Sequence, residues 1–344
     1  MKDLVARGAQ RWETILVLLI ILSMFWLASL SPHFFELDNL LRQTRAIIII
    51  GILALGLTLV VVAAEIDLSG ESILAVCAVT FGLMFEAGVG VWNAVVLTVA
   101  LGALMGFVNG VLVGILNLPS LAVTLGTLIG YRGLAFVILE RRPISGFPES
   151  LTRLGLGTFG GTLVPNSLLI LLTLAALVAV VLHSTTYGRR LHAIGHNREA
   201  ASFSGVPTNR MRVQVFVFSG ACAGFGAVML AARFGSVRAD AGTGLILDIV
   251  AAVLLGGVSI FGGVGTVGGV VLALVLIGLL RNGMSLANVP GQVQSIVIGS
   301  LLFAAVVIPL AIERGQAWIG WRRRAPDRAR QSDPSDVGAR SGGS

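Results

Sequence analysis

Residues 263–268, Gly-Val-Gly-Thr-Val-Gly, carry the glycine spacing of a dinucleotide-binding turn. Chemistry there would need a strand before the glycines, a helix after them and an acid about 20 residues further on for the ribose hydroxyls. No Asp or Glu occurs between Asp248 and Glu313, and the flanks IVAAVLL and VVLALVLIGLL are apolar throughout. A phosphate-binding P-loop needs a lysine after its glycines, and Lys2 is the only lysine in the chain. The glycines instead read as a tight, irregular passage where two short helices meet. His192 and His196 stand four apart and could share a helix face, but two histidines without a third ligand make a poor zinc site. No nucleophile elbow is present. Nothing in the residue set argues for catalysis, a bound metal or a cofactor. What remains are acids and amides set among apolar residues: Glu65, Asp67, Glu71 and Asp248, with Ser69, Asn109, Asn117, Thr124, Ser259 and Asn282.

The elements that must position them are set by composition. Hydrophobic residues make up 56% of the 344 and charged residues 12%, with a mean hydropathy of +0.92, whereas soluble domains carry about 25% charged residues. The apolar residues come in blocks of about 20, the length that crosses ~30 Å of hydrocarbon. The sequence therefore predicts an all-α, polytopic membrane helix bundle. About ten spans are expected: Trp12–Leu30, Ala46–Ala64, Ser72–Met84, Val91–Ile115, Leu121–Leu139, Ser167–His183, Val213–Ala232, Ile249–Ile260, Val267–Leu280 and Gln292–Ile312. They form one domain, 1–312. The tail, 313–344, is rich in Arg, Asp, Ser, Gly and Pro and is expected to be cytoplasmic and disordered, because it cannot bury a core.

Basic residues favour the cytoplasmic side. Lys2, Arg7 and Arg11, the loop holding Arg189, Arg190, Arg198, Arg210 and Arg212, and the tail from Arg314 to Arg340 share one side if both termini are cytoplasmic. Arg42, Arg45, Arg141, Arg142 and Arg153 run against that arrangement. The net charge of +7 is explained by such topology determinants beside anionic lipid. No basic face with interleaved aromatics points to nucleic acid. Cys77 and Cys222 lie inside apolar runs, where thiols act as small packing residues. The charged start of the first span lacks a clear cleavage site and reads as a retained helix.

Two internal patterns stand out. Asn109-Gly110 followed by Asn117-Leu118-Pro119 is echoed by Asn282-Gly283 followed by Asn288-Val289-Pro290. Spans two to five and seven to ten would then be inverted copies, a common transporter arrangement with the pathway at the repeat interface. Gly102, Gly106, Gly110 and Gly114, with Gly220 and Gly224, have the four-residue spacing that lets helix backbones approach closely. An acid at a helix centre costs about 2.5–3.5 kcal/mol on insertion scales, so Asp67 and Asp248 should be paired, capped or near water. Each can be the N-cap of the following span or part of a solvated gate. The amides and hydroxyls are candidates for the translocation pathway, or for hydrogen bonds between helices.

The segment Thr185-Thr186-Tyr187-Gly188-Arg189-Arg190, then Ala193 to Ala201 (AIGHNREAA) and Ser204-Gly205-Val206, resembles the cytoplasmic loop of ATP-binding-cassette sugar permeases of the ribose, xylose, arabinose and rhamnose type. AEIDLSGES, residues 64–72, is similar to that family's Gly-Ile-Asp-Leu-Ser segment. LDIVAAVLLGGVSIFGGVGTVGG and GFVNGVLVGILNLPSLAVTLGTL match its style, and the likeness covers roughly residues 40 to 310. The resemblance implies a permease subunit of a bacterial inner-membrane importer that does not itself hydrolyse ATP. Its implied partners are a separate ATPase subunit, a periplasmic or lipid-anchored sugar-binding protein, a second permease copy or paralogue, and membrane lipid. It also implies that Arg189, Arg190, Glu199, Ala200, Ala201 and Gly205 couple to the ATPase. Glu65, Gly70-Glu71 and Ile246 depart from the family, which commonly has Gly, Val-Gly and Glu there. Substrates in keeping are rhamnose or a pentose, with the furanosyl signal autoinducer-2 as the alternative. A proton-coupled secondary transporter using Glu65, Asp67, Glu71 or Asp248 is the competing class.

Overall fold

The computed structural model describes residues 2–305 and 307, apart from 31 and 141, and leaves the side chains of 2–11, 30 and 38 without description. The expected tail 313–344 and its arginines, Arg141, and the side chains of Lys2, Arg7 and Arg11 lie outside the described residues. Contacts divide the chain into a unit over 1–298 and a second from 299. Of the second, the described residues are helical.

Helices dominate because a backbone surrounded by hydrocarbon must satisfy its own N–H and C=O groups. They are α1 (Lys2–Leu30), α2 (Leu37–Val62), α3 (Gly70–Glu86), α4 (Val91–Gly114), α5 (Ser120–Leu139), α6 (Glu149–Leu156), α7 (Asn166–Ala179), α8 (Thr186–His196), α9 (Arg198–Phe203), α10 (Thr208–Phe234), α11 (Leu245–Leu255) and α12 (Val267–Leu286). A further apolar helix, α13, covers Gly291–Ala305. A π-helical stretch, Val180–Ser184, extends α7. The strands are β1 (Ile144–Ser145) and β2 (Ser236–Val237), paired antiparallel with Ile144 opposite Val237.

Among the described residues, seven helices are long and apolar enough to cross a bilayer: α1, α2, α4, α5, α7 with its π extension, α10 and α12. The expected eighth span, Ile249–Ile260, is corrected. Its helix starts at Leu245 and stops at Leu255, and 11 residues rise only ~16 Å. Gly256 and Gly257 break it, the latter at φ 81°. The third segment is a 17-residue helix, and the expected end of the tenth, at Ile312, lies outside the described residues.

Burial sorts the bundle. Across Asn39–Val62 of α2, 89% is buried, and across α10 78%, against 11% for α1 and α5. Outward-facing residues such as Phe25, Val96, Ile129 and Val137 are large and apolar, the surface a hydrocarbon solvent requires. α10 packs most extensively on α4, where the spaced glycines meet. A Cβ on Gly106 would lie 2.2 Å from the Phe216 carbonyl oxygen, and one on Gly220 2.2 Å from the Gly102 carbonyl oxygen. Those two backbones touch, so dispersion between helices can act where lipid offers no hydrophobic drive.

The short helices α3 and α11 meet at their N-termini. Glu71, in the first turn of α3, accepts through Oε2 the Ile246 N–H in the first turn of α11 at 2.9 Å. Two helix N-termini, each with orphan N–H groups, are thus joined by one carboxylate. Against the opposite end of α11, Trp12 of α1 donates its indole N–H to the Leu255 carbonyl at 2.8 Å.

Candidate functional site

Functional side chains gather in three places. The first is the segment α8–α9. Thr185 caps α8 by accepting the Gly188 N–H, and Asn197 caps α9 by accepting the Ala200 N–H. At the other end of α9, Gly205 sits at φ 80°, its N–H reaching Ser202 O while that of Val206 reaches Ala201 O. This double bond to a left-handed glycine closes a helix sharply. So α9 is a six-residue plug, fixed at both ends, whose Ala201 is buried. Glu199, Ala200, Arg189, Arg190 and Gly205 are exposed, and Phe203 is 92% exposed at its tip. Sequence reasoning missed Phe203. An aromatic six residues into a loop is unremarkable until a capped helix presents it. A shallow cleft of about 290 Å³ lies beside α9, lined by Ser202, Val206, Pro207, Asn209 and Arg210 among others.

Behind α8 lies the loop carrying the opening glycine pattern. Gly262 and Gly263 have φ of 80° and 74°. A Cβ on the first would strike Ala64, and one on the second His196. The Gly263 N–H is given to Val62 O, and its carbonyl meets His192 Nδ1 at 2.9 Å. At the start of α12, Thr266 Oγ1 accepts the Gly269 N–H and donates to Glu13 of α1, while the Val267 N–H reaches His183 Nε2. A carboxylate thus already stands at this helix N-terminus, where a phosphate would need positive potential. The glycines serve close approach between α1, the end of α2 and α8. His192 and His196 each direct Nδ1 to a backbone carbonyl, and the described residues hold no group of three metal ligands. Burial pushes the His192 imidazole below its ordinary value, with His196 adding to the shift and the Gly263 bond opposing it.

The second place is a buried polar cluster between α3, α4 and α10. Asp67, 2% exposed, accepts the N–H and hydroxyl of Ser69 on Oδ1 and the Ser219 hydroxyl on Oδ2, at 2.9, 2.6 and 2.8 Å. Asn109 donates to Ser69 Oγ at 2.8 Å, and its own Oδ1 has no partner among the described residues. Thr124 on α5 bonds the Ile66 carbonyl, and Ser120 Oγ accepts the Ile66 N–H. Asp67 is therefore not an N-cap: it folds its own loop and ties α10 to it. Ser219 was not picked out from sequence. A serine in an apolar helix gives no signal without its partner.

The third place is a set of arginine–acid pairs. Glu65 holds Arg212 at 2.5 Å, with both side chains buried. Arg132 lies 3.3 Å from Glu71 and donates to the Ala241 carbonyl at 2.7 Å. Asp248 is held by Arg281 at 2.6 and 2.8 Å, so it too is paired rather than an N-cap. Asn117 leaves the pathway candidates for this charged set: its Oδ1 accepts both Arg198 Nη2 and Arg212 Nη1. The other candidates are dispersed. Asn282 exchanges amide hydrogen bonds with Asn39 of α2, and Ser259 accepts the Phe261 N–H. Arg132 and Arg281 were not singled out from sequence, and Arg212 was read there only as a topology determinant. An arginine near the end of an apolar run reads as a topology determinant until the fold places a carboxylate on it.

Comparison with known proteins is consistent with this architecture. The family described as "Branched-chain amino acid transport system / permease component" matches residues 39–306. The autoinducer 2 import system permease protein LsrD of Salmonella typhimurium is 33% identical over 323 residues, which cover 91% of this chain and 97% of that protein. LsrD of Escherichia coli O9:H4 is 34% identical over 325 residues, 92% and 98% of the two chains. No solved structure matches. The chain belongs to the permease components of branched-chain and monosaccharide ATP-binding-cassette transporters. It is accordingly a multi-pass membrane subunit and not the subunit that hydrolyses ATP.

Proposed function

From that membership, we propose that the chain is the membrane subunit of an importer passing autoinducer-2, a furanose-like small solute, from a binding protein into the cytoplasm. The single observation behind the substrate is similarity to LsrD along nearly the whole of both chains. Rhamnose or a pentose, expected from sequence style, becomes the competing outcome of the same assay. A second permease, as copy or paralogue, completes the channel. In this reading both termini and α8–α9 face the cytoplasm, the side of the ATPase.

The docking element is α9 with its flanks: Glu199, Ala200 and Gly205, beside Arg189 and Arg190. Its support is physical. A helix of six residues does not hold itself together in water, and this one is fixed by an Asn cap, a left-handed glycine and buried Ala201. Such a plug transmits force instead of fraying.

An inverted repeat, α2–α5 against α10–α13, has two supports. α3 and α11 are both short with an acid in the first turn, and Asn117 and Asn288 share a left-handed backbone. Asp67, Ser69, Asn109 and Thr124 lie beside the start of α3, where a half-helix N-terminus borders a transporter pathway. The proton-coupled alternative loses ground because Glu65, Glu71 and Asp248 each hold an arginine.

Reconstitution with the cognate ATPase and binding protein tests the proposal. ATP-dependent uptake of labelled autoinducer-2, above that of ribose or rhamnose, is expected. Uphill uptake by the isolated chain under a proton gradient would refute it.

A further inference from the structure

Arg198 opens α9, the element proposed to dock on the ATPase, and its guanidinium does not point toward a partner. It reaches back to Asn117 Oδ1 at 2.5 Å and Asn209 Oδ1 at 3.0 Å. Asn117 closes α4 in a left-handed conformation, φ 55°, two residues before Pro119, which precedes α5. The same Oδ1 takes Arg212 of α10 at 3.1 Å, and Arg212 is anchored by Glu65. Two guanidinium groups therefore converge on one neutral oxygen, with one carboxylate between them. Burial and then the neighbouring Arg212 lower the pKa of Arg198, against the pull of Glu65. Like charges held this close repel, which makes the contact easier to release than a pair of opposite charges.

We infer that Asn117 and the two arginines on it are the joint through which movement of α9 reaches the membrane helices. From Asn117 the connection continues physically along α5. Thr124 and Ser120 grip Ile66, and Arg132 further on grips Glu71 and the Ala241 carbonyl. A displacement of Arg198 is thereby delivered to the N-termini of both α3 and α11. These are positioning residues: none needs to touch solute. A chain of packed, hydrogen-bonded groups becomes a coupling route only when a two-state element is shown, and the contact on Asn117 is the element that the variants below test.

The inference rests on α9 being the docking helix, and the experiment separates the two. Asn117→Gly keeps the left-handed turn but removes the shared oxygen. Asn117→Asp keeps an oxygen there. In the reconstituted complex, three quantities are measured: ATPase association, ATP hydrolysed, and solute moved per ATP. For Asn117→Gly, solute per ATP should fall by about ten-fold or more, the scale of a lost charge-assisted hydrogen bond, with ATPase association kept. Asn117→Asp should retain coupling. Unchanged solute per ATP in Asn117→Gly overturns the joint. So does ATPase association lost in step with uptake, since Asn117 would then belong to the docking surface. The docking reading fails on different variants: ATPase association intact in both Glu199→Arg and Phe203→Ala.

Discussion

Asn117 and Asn288 are written in the same grammar, Asn-x-Pro after an apolar helix, and both adopt a left-handed backbone, φ 55° and 56°. Their backbones close differently: after Asn117 the Leu118 N–H returns to Leu112 O, six residues back, and after Asn288 the Val289 N–H returns to Met284 O, five residues back. Their side chains differ. Asn117 carries two arginines, whereas among the described residues Asn288 has no side-chain hydrogen bond. The same Asn-x-Pro pattern therefore makes a charged contact in one place and a plain turn in another. Local sequence sets the turn, and the neighbours decide what it does.

Four measurements would break or sharpen that contrast. The largest effect is expected from the packing that carries Asn117 to its arginines. Gly106→Leu puts a side chain where only 2.2 Å separates a Cβ from the Phe216 oxygen, with backbone on both sides. It should abolish the monodisperse, folded protein in detergent, while Gly126→Ala, which meets open space, should not. Next comes Arg212→Gln, which strands Glu65 buried and unpaired. Removing one partner of a buried pair costs about 3–5 kcal/mol, measured as loss of unfolding free energy. Glu65→Gln added to it should recover part of the loss. Equal stability of the single and double variants would dissolve the pair.

The third effect is a pH dependence behind α8. His192 has a folded pKa below its ordinary value of about 6.5, so the unfolded chain binds more protons as pH falls past that value. Its stabilising contribution is whole above pH 6.5 and is lost on acidification. The melting temperature of wild type should drop between about pH 7 and 5 more steeply than that of His192→Gln. Parallel slopes would remove His192 from the account. The smallest effect belongs to the plain turn. Asn288→Gly should shift stability by no more than about 0.5 kcal/mol and leave solute per ATP unchanged. An effect on transport matching that of Asn117→Gly would erase the distinction between the two turns.

Much of the helical skeleton was legible, because hydrocarbon length and apolar blocks constrain it directly. Helices stand at each of the ten expected segments, and among the described residues seven reach spanning length. The misjudged segment, Ile249–Ile260, shows why. Hydropathy counts apolar residues without regard to backbone, and Val258 and Ile260 are as apolar in a glycine-broken loop as in a helix. The spaced glycines of α4 and α10 announced close packing and delivered it. For the acids, sequence predicted a need for partners without naming them. Glu71 turned out to take the backbone N–H of Ile246. Those residues are 175 apart in sequence, and no local pattern links them.

By itself, then, the sequence determined what local physics determines: apolar lengths, turn-forming Asn-x-Pro, glycine spacing, and acids too costly to leave alone in hydrocarbon. Tertiary structure alone decided the pairings: Arg212 on Glu65, Arg281 on Asp248, Arg132 on Glu71, and two arginines on one Asn117 oxygen. The reason is one of range. A helix or a turn is fixed by groups a few residues apart, whereas a charge among apolar residues accepts whichever counter-charge the packed helices bring within about 3 Å.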